Sequence, residues 1–82
     1  MKFMIWNVRG LGKFQKRRMV KKVGKARKVQ FLMLQETKWD TVDSCKVKSV
    51  WGGGDCDWLA VESNGASGGL LCIWEKYLCS GI

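Results

Sequence analysis

Two residues carry the first chemistry that this sequence suggests. Glu36 closes the apolar stretch of "FLMLQETKWD" and is the first acidic residue of the chain. The 35 residues before it hold no Asp or Glu, and eleven of them are Lys or Arg. Asn7 stands near the end of an earlier apolar stretch, "KFMIWNV". A carboxylate or carboxamide at a strand end has two readings: it caps a turn, or it belongs to a polar site of the kind built at strand ends. The four cysteines, Cys45, Cys56, Cys72 and Cys79, contain no C-x-x-C pair, and the chain has no His. A zinc site of the finger type is therefore not expected.

The elements that must position these residues are legible from periodicity. Lys2–Val8 reads as a strand with both faces apolar, and Val29–Glu36 as a second, central one. Between them lie a two-glycine loop, "RGLG", and the segment Lys13–Lys28. That segment has helical spacing, with Met19, Val20, Val23 and Ala26 on one face and Lys or Arg at most other positions. Strand, loop, helix and strand make a βαβ-like unit, whose crossover is right-handed if the two strands are parallel neighbours. Parallel strands would bring Asn7 and Glu36 to the same sheet edge. Further on, Asp40–Gly52 suggests a short helix with Val42, Cys45 and Val50 as apolar contacts. Gly52–Asp55 reads as a turn, Asp57–Ser63 as a strand, Asn64–Gly69 as a hairpin-type turn and Leu70–Glu75 as a last strand.

Bulk properties narrow the class. With 82 residues the chain fits one small domain, and chains of this size bury roughly 60–70% of their unfolded surface, so stability is marginal. An apolar fraction of 46% argues against disorder, and five Trp point to a substantial core or interface. Fifteen Lys and Arg against seven Asp and Glu give a formal charge of +8, which favours polyanionic partners. No apolar run approaches the roughly 18–20 residues that span a bilayer. No signal-peptide pattern opens the chain, so a nuclear or cytoplasmic, non-secreted protein with reduced thiols is the expectation.

"WNVRGLG" and "LQETK", in this order around a basic helix, resemble the start of the endonuclease/exonuclease/phosphatase superfamily. In style they are most similar to the endonuclease domain of plant LINE-type (non-LTR) retrotransposons. "SVWGGG", "DWLAVES", "GASGGLL" and "CIWEK" look like later segments of that domain, so the resemblance spans residues 1–82.

The resemblance implies the N-terminal part of a four-layered α/β sandwich, present here as an incomplete mixed sheet with a basic helix. It implies a Mg²⁺-dependent phosphodiesterase that hydrolyses DNA when complete. Glu36 would take the metal-ligand position, and Asn7 would help hold the metal site and the phosphate. Mg²⁺ suits such a place, since it prefers hard oxygens and is often held by one or two carboxylates plus substrate phosphate. Gln35, Thr37 and Lys38 match the second motif and are expected to support the Glu36 carboxylate. Gly68 and Gly69 match a turn that needs glycine.

Arg9, Lys13, Lys16, Arg17, Lys21, Lys22 and Lys25 could contact the phosphates of DNA or RNA. The family's later Tyr, Asp-x-Asn and Ser-Asp-His motifs do not occur in these 82 residues. The chain alone is therefore expected to be inactive, and its sheet to await the missing remainder of the domain. Two other readings stand beside this one: a non-enzymatic basic nucleic-acid-binding fragment, and a nuclear localisation signal in "KFQKRRMVKK".

Overall fold

The computed structural model describes residues 2–64 and 68–76. Its elements are β1 (Phe3–Asn7), α1 (Phe14–Ala26), β2 (Phe31–Gln35), α2 (Ser44–Val50), β3 (Cys56–Val61) and β4 (Leu70–Glu75). The four strands form one mixed sheet in the order β1-β2-β4-β3. β1 and β2 are parallel, with Asn7 opposite Gln35, while β4 runs antiparallel to both β2 and β3. The expected parallel pair and the central position of β2 are both present. Part of the expected turn Asn64–Gly69 lies outside the described residues.

The helices form where local chemistry permits. α1 has no acidic residue in its first turn and no side-chain cap at Lys13. It ends in a Schellman motif: the Lys28 N–H donates to Lys25 O (3.2 Å) and the Val29 N–H to Gly24 O (3.0 Å). Lys28 adopts the left-handed conformation that this motif demands (φ 54°). In α2, the side chain of Asp43 caps the start by accepting from the Lys46 N–H (2.9 Å).

One face of the sheet carries the core. Leu32, Leu34, Leu71 and Ile73 point toward the helices and are fully buried, packed with Val8, Leu11 and Val20, and with Val47, Val50 and Trp51 from the α2 segment. Among the described residues nothing covers the opposite face. Phe3, Ile5, Leu59 and Val61 on it are 59–68% exposed.

Three expectations are corrected here. β1 is not buried on both faces, because it is an edge strand whose odd-numbered residues face away from the helices. In α1 the burying residue is Val20, whereas Met19 and Ala26 are exposed, because the helix rotates its Lys16–Val20–Val23 side toward the sheet. In α2, Val47 and Val50 are buried while Cys45 is exposed, because the helix starts at Ser44 and its inward positions are three apart from there.

Candidate active-site half at the sheet edge

The carboxyl ends of β1 and β2 are adjacent because the strands are parallel and in register. The chain leaves both strands in loops that clasp one another. Val8 N–H donates to Gln35 O (3.0 Å), Gly10 N–H to Glu36 O (2.7 Å) and Leu11 N–H to Thr37 O (2.9 Å). A third strand end joins them, with Thr37 N–H donating to Gly69 O (3.2 Å) and Lys38 N–H to Gly68 O (2.9 Å). Asn7 and Glu36 meet at this clasp. Asn7 Nδ2 donates to Glu36 Oε2 at 2.5 Å, and Asn7 Oδ1 accepts from the Arg9 N–H at 3.3 Å. The carboxamide therefore has one orientation, nitrogen toward the carboxylate and oxygen toward the loop. Both side chains are solvent-accessible.

The backbone here is strained. Arg9, Glu36 and Lys38 all adopt left-handed conformations, with φ of 52°, 56° and 58°. Each costs of the order of 1–3 kcal/mol in a non-glycine residue and persists only where the surroundings impose it. The interlocked hydrogen bonds supply that constraint. The effect is to turn the Glu36 side chain to the sheet edge instead of continuing the strand. Nothing in the residue types signals this; Gly or Asn would mark such positions, and Arg, Glu and Lys do not.

Thr37 is the buried polar residue of the site, 1% exposed, with Oγ1 accepting from the Trp39 N–H at 3.3 Å. Gly69 lies so close to that hydroxyl that a Cβ there would overlap it, and its φ of 93° also excludes most side chains. Gly69 is thus more than a turn residue: it lets the β4 entry press on the loop that carries Glu36. Gln35 and Lys38 are exposed. Glu36 has its side-chain partner in Asn7, and the Thr37 and Lys38 segment supports it through backbone bonds.

The seven basic residues divide into groups. Arg9 flanks the Asn7–Glu36 pair, and Lys13 precedes α1. Lys16 Nζ donates to Val8 O (2.8 Å), and Arg17 Nη1 donates to Leu11 O (2.7 Å) and Gly12 O (3.2 Å), so these two cations brace the β1–α1 loop. Lys21, Lys22 and Lys25 are exposed farther along α1, toward the opposite end of the sheet.

The donor set fits part of a hard-cation site. Glu36 Oε2 is occupied by Asn7, which leaves Oε1 for a cation, and the cation's other ligands would be water and substrate oxygens. No group of three or more His, Cys, Asp or Glu converges among the described residues. The thiols of Cys56 and Cys72 are held above their ordinary range, chiefly by burial, so they are poor soft ligands at neutral pH.

No protein-family profile matches the chain, and no curated protein does. Among solved structures it is similar to the AP endonuclease LMAP from Leishmania major, a member of the endonuclease/exonuclease/phosphatase superfamily, with 26% identity and a TM-score of 0.62. The similarity covers 89% of this chain and 23% of that protein, so the chain spans less than a quarter of its neighbour's length. The fold is a partial α/β fold of nuclease type. No helix among the described residues is long and apolar enough to cross a membrane.

Proposed function

We propose that this chain is the N-terminal segment of a Mg²⁺-dependent DNA endonuclease domain of the LINE retrotransposon type, and that it carries the Asn7–Glu36 half of the site. The observation that supports this most is the hydrogen bond between Asn7 and Glu36 across the carboxyl ends of two parallel strands. Their motif context and the likeness to an AP endonuclease point the same way.

Glu36 would hold the cation through its free carboxylate oxygen. When bound, the metal would polarise the phosphodiester and offset charge on the leaving oxygen. Asn7 orients the carboxylate by donating to Oε2, and Arg9 holds the Asn7 oxygen through its backbone N–H. Arg9 and Lys13 supply positive charge beside the pair for a phosphate backbone. General acid–base help is commonly worth about 10²–10⁴-fold. These 82 residues include no His to give it. Turnover by this chain alone is expected to be absent, and the rest of the domain would be its partner.

A Mg²⁺ titration followed by NMR tests the assignment. The Asn7 side-chain amide signals should shift with Mg²⁺, and the shift should vanish in Glu36→Gln. Unchanged signals at tens of millimolar Mg²⁺ would remove Glu36 as a metal ligand. In a plasmid-nicking assay the isolated chain should leave supercoiled DNA intact; Mg²⁺-dependent nicking lost in Glu36→Gln would overturn the inactivity.

The second reading, a non-enzymatic binder of DNA or RNA, draws on the exposed Lys22 and Lys25 and the net charge of +8. It predicts binding that ignores Glu36→Gln and Mg²⁺ alike and falls steeply with salt.

A further inference from the structure

A second polar feature lies at the other end of the sheet. It is a cleft of about 560 Å³ where Lys21 of α1, Lys48 in the last turn of α2 and Lys76 just after β4 converge on the Trp51–Gly54 loop. Three segments distant in sequence each bring one lysine to its lining. Among the described residues none of the three ammonium groups has an ion-pair or hydrogen-bond partner. Asp55 is the one carboxylate lining the cleft, so positive charge is in excess.

The loop that lines the cleft is tied back to Trp51. Trp51 is buried and its Nε1 donates to Gly54 O at 3.1 Å. A Cβ on Gly53 would press on the indole at 3.0–3.1 Å, and one on Gly52 would meet Lys25 Cβ at 2.9 Å and Lys21 O at 3.1 Å. The glycines therefore let the loop lie flat on the tryptophan and against α1. The N–H groups of Gly53 and Gly54 have no protein acceptor among the described residues.

Fixed amide donors beside several ammonium groups are the chemistry that binds phosphate oxygens. We propose that this cleft is a phosphate-binding site, distinct from the Asn7–Glu36 edge. The two ends are separated by the length of β4, whose Leu70 pairs with Gln35 beside Glu36 and whose Glu75 leads into Lys76. At about 3.3 Å per residue the six residues of β4 put them roughly 20 Å apart. The inference does not depend on metal binding by Glu36.

The test is titration of the full chain with pyrophosphate and, separately, with a short duplex DNA, followed by the Gly53 and Gly54 amide NMR signals. Both signals should shift with pyrophosphate. The Lys48→Gln/Lys76→Gln variant should weaken binding about tenfold or more, the charge-matched control Arg18→Gln/Arg27→Gln should change it less than about twofold, and Asp55→Asn should tighten it. Circular dichroism checks that each variant keeps the wild-type fold. A response to both probes assigns a site for free phosphate groups; a response to DNA alone assigns a contact to the nucleic-acid backbone. The proposal is overturned if the two glycine amides respond to neither probe, or if the control pair weakens binding as much as the cleft pair.

Discussion

The two faces of the sheet are built from the same strands and nearly the same residue types, yet they meet opposite environments. Leu32, Leu34, Leu71 and Ile73 are 0–1% exposed beneath the helices. On the reverse side three cross-strand rows run Phe3–Phe31–Trp74–Asp57, Ile5–Met33–Cys72–Leu59 and Asn7–Gln35–Leu70–Val61. The first is an aromatic ladder, with Phe3 edge-on to Phe31 at 5.8 Å and Phe31 stacked on Trp74 at 6.0 Å. A chain with fifteen Lys and Arg places none of them in these rows. Apolar faces of this extent are uncommon on soluble monomers. The difference teaches that the strands are patterned for a layer on each side, and that the described residues supply one of them.

The strongest test of this contrast is truncation on the covered face. Leu34→Ala or Ile73→Ala should destabilise the fold by about 2–5 kcal/mol, read by urea unfolding. Equal losses from Ile5→Ala would mean that the bare face is covered in solution and would break the comparison. Next in size is Gly69→Ala, where the left-handed backbone and the overlap with Thr37 act together. A loss of about 1–3 kcal/mol is expected, together with changed Asn7 side-chain signals, because the loop carrying Glu36 would shift.

Smaller still are substitutions on the bare face. Ile5→Thr and Leu59→Thr should change stability by less than about 1 kcal/mol, since little transfer from water is lost, while raising the concentration at which the chain stays soluble. Loss of stability with no gain in solubility would show that these residues are already buried. The smallest expected effect concerns the thiols, with Cys56 on the helix side and Cys72 on the bare side. Burial raises both above their ordinary value of 9.0, so the folded state holds these protons more tightly than the unfolded one. Their contribution is complete below pH 9.0 and is lost as pH rises through the raised values. A denaturation midpoint that falls above that pH in wild type, and falls less in Cys56→Ala/Cys72→Ala, is the expected result; equal slopes would remove the thiols as the cause.

Strand and helix identities followed from periodicity, and β4 has its expected bounds because "LLCIWE" is flanked by glycines and a charged end. The parallel pairing of β1 and β2 is that of the βαβ-like unit read from the order strand, loop, helix and strand. Cys45 and Met19 were misjudged because spacing alone leaves a helix free to rotate by one position, and packing against a particular sheet decides which residues turn inward. The apolar run on β1 looked buried on both sides because hydrophobicity records what a strand is patterned to bury, not what covers it.

By itself, the sequence determined the element order, the excess of positive charge and the placing of Asn7 and Glu36 at one sheet edge, since these depend on local periodicity and on strand direction. Tertiary structure decided three things. It set the left-handed turns at Arg9, Glu36 and Lys38, which are imposed by hydrogen bonds from residues about thirty positions away. It chose which cations brace a loop and which stay free. It also gathered Lys21, Lys48 and Lys76 around one glycine loop. Each of these is a contact between segments distant in the chain, and residue types at one position do not encode what another segment brings to it.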